Sequence, residues 1–231
     1  MHHLGRRTTI CPRLAPCLAA LLAGACAPPP DAPDPGSAPA DDPTPADEAG
    51  VQVLEAPGGA FLDIQCHGKH SRHPIDSLTS MGAHFVKEGG TETFEHLDTS
   101  CNRVEIDTNE HYRSGKHTFQ GEVKIGAVSG QSVVQIFNAP SSGPIMMIKA
   151  YDSGGGTLRK LAGSVTLVTG ATDDWVGVRI VHDLTENSLE IFINGDRKWS
   201  GSGGAGGSFN LKYGNYGTGA PTEVKWRNVS W

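Results

Sequence analysis

Beyond residue 57 the chain alternates apolar and polar positions over short runs, and the wider spacing of an amphipathic helix is nearly absent. Phe119, Gly121, Val123 and Ile125 share one face of a run whose other face carries Gln120, Glu122 and Lys124. Val176, Val178, Ile180 and His182 repeat the pattern. Strands are predicted over 60–65, 102–107, 118–125, 132–138, 145–151, 164–168, 175–182, 188–193, 208–216 and 223–231. Turn chemistry separates them: Gly154-Gly155-Gly156, Asp173-Asp174, and Asn194-Gly195, the last a strong hairpin signal. Many short strands with Gly-rich turns predict an all-β, two-sheet antiparallel sandwich. The tract 201–207 reads as a loop at the rim of a groove.

The N-terminal quarter breaks this pattern. Arg6, Arg7 and Arg13 precede an apolar run from Leu14 to Ala25, too short to span a bilayer, so residues 1–26 read as an export signal. The run closes on Leu22-Ala23-Gly24-Ala25-Cys26, which resembles a lipoprotein cleavage box with Cys26 as the lipidated residue. Residues 27–57 hold nine of the 15 prolines, seven acidic residues and no basic one, the composition of an extended, disordered linker. One folded domain, 58–231, remains. The expectation is an exported cell-envelope lipoprotein that touches the membrane only through its lipid, or a secreted protein.

The linker carries most of the net charge of −6. Residues 58–231 are near balance, with 16 Lys+Arg against 18 Asp+Glu, which gives no support for nucleic-acid binding. Three of the five cysteines lie in the leader, leaving Cys66 and Cys101, and an exporting compartment predicts a disulfide between them. His67, His70 and His73 fit no familiar zinc spacing and read as a polar loop. No metal or cofactor is expected, and the domain is expected to be a monomer.

Candidate chemistry emerges when alternation is applied to three strands. In Leu211-Lys212-Tyr213-Gly214-Asn215-Tyr216, Lys212 and Tyr216 share a face and Leu211 and Tyr213 the opposite one. In 103–107 Arg103, Glu105 and Asp107 share the open face, leaving Val104 and Ile106 for the core. In 133–137 Val134 and Ile136 are core, so Gln135 and Phe137 are open. Arg103, Glu105, Gln135, Lys212 and Tyr216 then line one groove floor. Such a set suits β-elimination in a uronic-acid polysaccharide. Arg103 and Gln135 would neutralise the sugar carboxylate, and Glu105 would orient Arg103. Tyrosine, with an ordinary pKa of about 10, needs cations such as Lys212 and Arg103 to act as a base. Tyr216 would serve as acid and base.

Arg103-x-Glu105, Gln135-Ile136 and Lys212-x-Gly214-x-Tyr216 resemble, in order and spacing, the three signature strands of the alginate-lyase type of polysaccharide lyase, family 7. The resemblance covers roughly residues 100–231 and implies a β-jelly roll (a concanavalin-like sandwich) with a concave groove for an anionic polysaccharide, alginate or glucuronan in type. Within 175–231, Val181-His182-Asp183, Ile193-Asn194-Gly195 and Trp226-Arg227-Asn228 look more like the plant citrate-binding-protein branch of that superfamily. Two positions depart from the lyase pattern. Asp107 stands where the family has a second arginine, and Phe137 where it has a histidine. His111 or His117, flanking the next strand, would have to replace the missing base, or Tyr216 would act alone. A binding module for carbohydrate or carboxylate on the same fold is the alternative. A third reading is a retaining β-glucanase, in which Glu105 of Glu105-Ile106-Asp107-Thr108-Asn109-Glu110 attacks and Glu110 protonates.

Overall fold

In the computed structural model, residues 59–139, 143–161, 164–204 and 206–231 are described; the leader, Cys26 and the linker lie outside them. Alternating side chains leave one apolar face per strand, and two sheets bury those faces against each other. The strands run β1 (Phe61–Cys66), β2 (Lys69–His73), β3 (Leu78–Ser80), β4 (Ala83–Glu88), β5 (Thr91–His96) and β6 (Cys101–Asp107). They continue as β7 (Lys116–Ile125), β8 (Ser129–Asn138), β9 (Pro144–Tyr151), β10 (Thr157–Lys160) and β11 (Val165–Thr169). The last five are β12 (Val176–Asp183), β13 (Ser188–Ile193), β14 (Asp196–Ser202), β15 (Phe209–Tyr216) and β16 (Thr222–Ser230).

Two eight-stranded antiparallel sheets result. The first has the order β11-β10-β9-β8-β15-β6-β1-β2 and the second β14-β13-β12-β7-β16-β5-β4-β3. The all-β sandwich expected from the alternation is the fold observed. Asn194-Gly195 makes the β13–β14 hairpin, with Ile193 opposite Asp196. Six strands, β2, β3, β4, β5, β10 and β14, fall outside the expected set, and two segments expected as loops are strands. The histidine segment 67–73 is mostly β2, an exposed polar edge strand, and Gly201-Ser202 finish β14 instead of opening a loop.

Leu62, Ile64, Val104, Ile106, Val134 and Ile136 of the first sheet and Phe85, Phe94, Val123 and Trp226 of the second are fully or almost fully buried. Each such side chain stabilises the sandwich by roughly 1.5–3 kcal/mol. Tyr213 is the central knob, edge-on to Phe94 at 5.9 Å and to Trp226 at 5.8 Å between ring centroids. Its buried hydroxyl donates to Glu92 Oε2 at 2.9 Å. Two residues on, Asn215 Nδ2 donates across the interior to Phe94 O and to Thr222 O and Oγ1 at 3.1–3.3 Å. Cys66 and Cys101 form the expected disulfide, tying β1 to β6.

Candidate active site

The middle of the first sheet presents β8, β15, β6 and β1 side by side, and their register aligns the polar residues of the outer face. Tyr216 lies opposite Arg103, Gly214 opposite Glu105, and Lys212 opposite both Asp107 and Gln135. On β1, Asp63 lies opposite Glu105. Directly paired residues point to the same side of a sheet, so the three separated segments come together on one face. Gly214 makes the convergence feasible. Its φ is +141°, and a Cβ there would meet Val104 O at 2.6 Å and the Glu105 Cα at 2.8 Å. A side chain at 214 would therefore push β15 from β6.

The polar groups form one connected network. Lys212 Nζ is 2.9 Å from Asp63 Oδ2 and 2.8 Å from Asp107 Oδ2. Arg103 Nη1 donates to Asp63 Oδ2 at 3.1 Å, and its Nε is 3.5 Å from Glu105 Oε2. Gln135 Nε2 donates to Glu105 Oε1 at 2.7 Å, and Asn210 Nδ2 to Asp107 Oδ1 at 2.9 Å. His70 of β2 also bonds Asp63. Above this layer the Arg103 guanidinium sits 4.7 Å from the centre of the Tyr216 ring.

Burial raises both inner carboxyls, but their partners leave them shifted in opposite senses. Glu105 is fully buried, and that desolvation, only partly offset by Arg103 and Lys212, pushes its carboxyl up to about 7. Asp63 is equally inaccessible, but its hydrogen bond to Lys212 and the charges of Lys212 and Arg103 outweigh desolvation and hold it below the ordinary carboxylate range. With Glu105 ionised, three carboxylates face two permanent cations; with Glu105 neutral, the cluster balances.

Several expected roles change with this geometry. Gln135 is fully buried and gives an amide hydrogen to Glu105, so it cannot meet a substrate carboxylate directly as the sequence suggested. Asp107, expected to repel an anion, is instead neutralised by Lys212. Phe137 lies 5.7 Å from Lys212 Nζ, measured to its ring centre. His111 is exposed beyond the end of β6 and makes no hydrogen bond to the cluster among the described residues. His117 stacks on Tyr112 at 3.9 Å, and His182 is a satisfied core histidine between the Tyr112 hydroxyl and Gly203 O.

Glu110 lines a small cavity between the sheets together with His182, Ile136 and Leu211, whereas Glu105 is fully buried beneath the outer-face network. A sealed Glu105 cannot reach a glycosidic carbon, and Glu110 lines a separate cavity, so the geometry removes the basis of the glucanase reading. That cavity, about 30 Å³, has room for about one water.

Asp63 is the residue the sequence reading missed. Phe61-x-Asp63-x-Gln65 placed it in phase with an outer face, but which strand lies beside β1 is a property of the pairing alone.

No family model matches this chain. The citrate-binding protein of Hevea brasiliensis is 27% identical over 133 residues, 55% of this chain and 54% of that protein, so the chain spans about half the length of the curated relative it matches. Among solved structures, the marine family 7 alginate lyase AlyA1 of Zobellia galactanivorans aligns with a TM-score of 0.59 and 15% identity, over 77% of this chain and 96% of that one. Alginate lyase AlyC3, solved in complex with dimannuronate, aligns with a TM-score of 0.56 and 13% identity, over 73% and 87% of the two chains.

Proposed function

On a fold shared with family 7 alginate lyases, we propose that this chain binds a uronate-containing polysaccharide across the outer face of its first sheet and cleaves it by β-elimination at Tyr216. The observation that carries this reading is the placement of the Tyr216 ring against the Arg103 guanidinium, 4.7 Å apart, at the partly exposed surface of a network whose carboxyls are buried.

Arg103 Nη1 is committed to Asp63, but guanidinium has five donors, and the remainder can take the sugar carboxylate in a bidentate pair. That pairing withdraws charge from the carbon alpha to the carboxylate. The Tyr216 phenolate then removes the alpha proton, the electron pair forms the carbon–carbon double bond, and the bond to the glycosidic oxygen breaks. The new phenol returns its proton to the leaving oxygen. Among the described residues no histidine bonds Tyr216, so one group serves both transfers on one face of the ring. Gln135 and Glu105 act through Arg103 as positioning residues, and Lys212 acts behind them by holding Asp63, which in turn fixes Arg103.

A second reading, binding of an anionic glycan or carboxylate without cleavage, draws on Phe137 and on the internal neutralisation of both cations by Asp63, Asp107 and Glu105. Incubation with alginate and glucuronan separates the two readings. Cleavage raises the ultraviolet absorbance of an unsaturated uronate. Retention on uronan affinity gels with no such absorbance would leave binding alone.

Export through the 1–26 leader and lipidation at Cys26 belong to the same proposal and put the domain on a stalk at the cell envelope. Incorporation of labelled palmitate that Cys26→Ser abolishes is the expected result, and incorporation that survives the substitution would reject the anchor.

A further inference from the structure

The centre of the proposed groove has no positive charge to spare, because Lys212 is held between Asp63 and Asp107 and Arg103 between Asp63 and Glu105. A polyanion must therefore be gathered by other cations on the same face. Strand register supplies them in line with Tyr216. Ser132 lies opposite Tyr216, Lys149 opposite Ser132, and Arg159 opposite Lys149. Lys149 is on the same side of β9 as Met147, which pairs with Gln135, so Lys149 and Arg159 share the outer face with the cluster.

Neither cation has a carboxylate partner among the described residues, and Arg159 instead rests 5.4 Å from the centre of the Tyr151 ring. Tyr151 is two residues beyond Lys149 and shares its face. Neighbouring strands are about 4.8 Å apart, so the backbones at Lys149 and Arg159 stand about 10 and 14 Å from Tyr216. That is the length of two to three sugar rings laid across the strands. An aromatic face beside two unpaired cations suits a sugar ring bearing a carboxylate.

Resting on the lyase reading for its ligand class, we infer that Lys149, Arg159 and Tyr151 form a uronate subsite on the β9–β10 side of the groove, which takes carboxylates two to three sugars from the bond at Tyr216. Capture through exposed charges should weaken steeply with salt.

The test measures binding apart from turnover, by calorimetry on the whole exported chain with a defined uronate hexasaccharide, the matching disaccharide and a neutral cellohexaose. The paired substitution Lys149→Ala/Arg159→Ala is compared with Lys124→Ala/Lys225→Ala, which removes the same charge from the second sheet. The expected result is about tenfold weaker hexasaccharide binding in the first variant, the size of two exposed ion pairs. The second-sheet variant should bind like the unmodified protein, and the salt dependence should shrink only in the first. Unchanged hexasaccharide affinity in the first variant, or an equal loss toward cellohexaose, would overturn the subsite. If affinity falls as expected but no unsaturated product forms, the subsite stands and the cleavage reading falls. If cleavage proceeds with unchanged affinity, the subsite falls alone. If the unmodified chain binds no uronan, both fall.

Discussion

Asp63 Oδ2 receives Lys212 Nζ at 2.9 Å and Arg103 Nη1 at 3.1 Å, so one inaccessible carboxylate oxygen fixes both cations of the groove floor. Removing one member of a buried ionic group leaves the others unpaired, which costs more than the group contributes as a whole. Asp63→Ala should lower stability by about 3 kcal/mol, read from urea denaturation. Lys212 keeps Asp107, so the larger displacement is expected at Arg103 and hence in substrate affinity.

Glu105 and His96 pull the pH dependence of stability in opposite directions. Glu105 is raised from an ordinary 4.5 to about 7, so its contribution is intact below pH 4.5 and is lost as pH rises through 7, a change of about 3 kcal/mol. His96, buried and lowered from 6.5 to about 4 by desolvation, favours the fold above 6.5 and loses that contribution as pH falls toward 4. Over this window the two largely cancel, and His182, likewise lowered by desolvation, leaves the unmodified protein with a shallow rise in stability as pH increases. Glu105→Gln should expose the histidine slope, gaining about 3 kcal/mol relative to the unmodified chain between pH 4.5 and pH 7.5. A constant difference across that range would contradict the burial argument.

Tyr216→Phe keeps the ring against Arg103 and deletes only the hydroxyl. Loss of a general acid–base costs about 10²–10⁴ in rate, so the absorbance of unsaturated product should fall at least 100-fold while affinity for the uronan is retained. Glu110→Gln, which alters the wall of the inner cavity, should leave turnover within about twofold, since surface-like changes away from the chemistry move little.

The Cys66–Cys101 bond closes 35 residues of chain, which include β2, β3, β4 and β5. Loop-closure entropy for that length corresponds to about 3–4 kcal/mol. The double substitution to serine should lower the denaturation midpoint accordingly, and reductant should shift the unmodified protein to the same value.

Ten strands were legible because their apolar residues fall at every second position, as in Val176–His182. Of the six that were not, five have physical reasons, whereas β4 does alternate, with Ala83 and Phe85 buried. β2 and β14 are edge strands with polar residues on both faces, so neither carries an alternating signal. β5 does alternate, but its buried set is Glu92, Phe94 and His96, and two of those three are polar. β3 and β10 have three and four residues, too few to show a period. At the site, Arg103, Gln135 and Tyr216 were readable as one face from phase alone. Their charge balance was not, because Asp63 lies 40 residues from Arg103 and 149 from Lys212 and meets them only through strand order. The same gap put Gln135 on the substrate, when its nearest acceptor is Glu105.

Asn215 rivets the strand that bears Tyr216 to the opposite layer by three bonds through its amide nitrogen. Any adjustment of that strand must be felt in both layers at once, so natural variation has little freedom to retune the middle of the groove. Diversification of glycan preference within such a scaffold should then accumulate at its flanks, on β2, β9 and β10, where a residue can be exchanged without disturbing the interior.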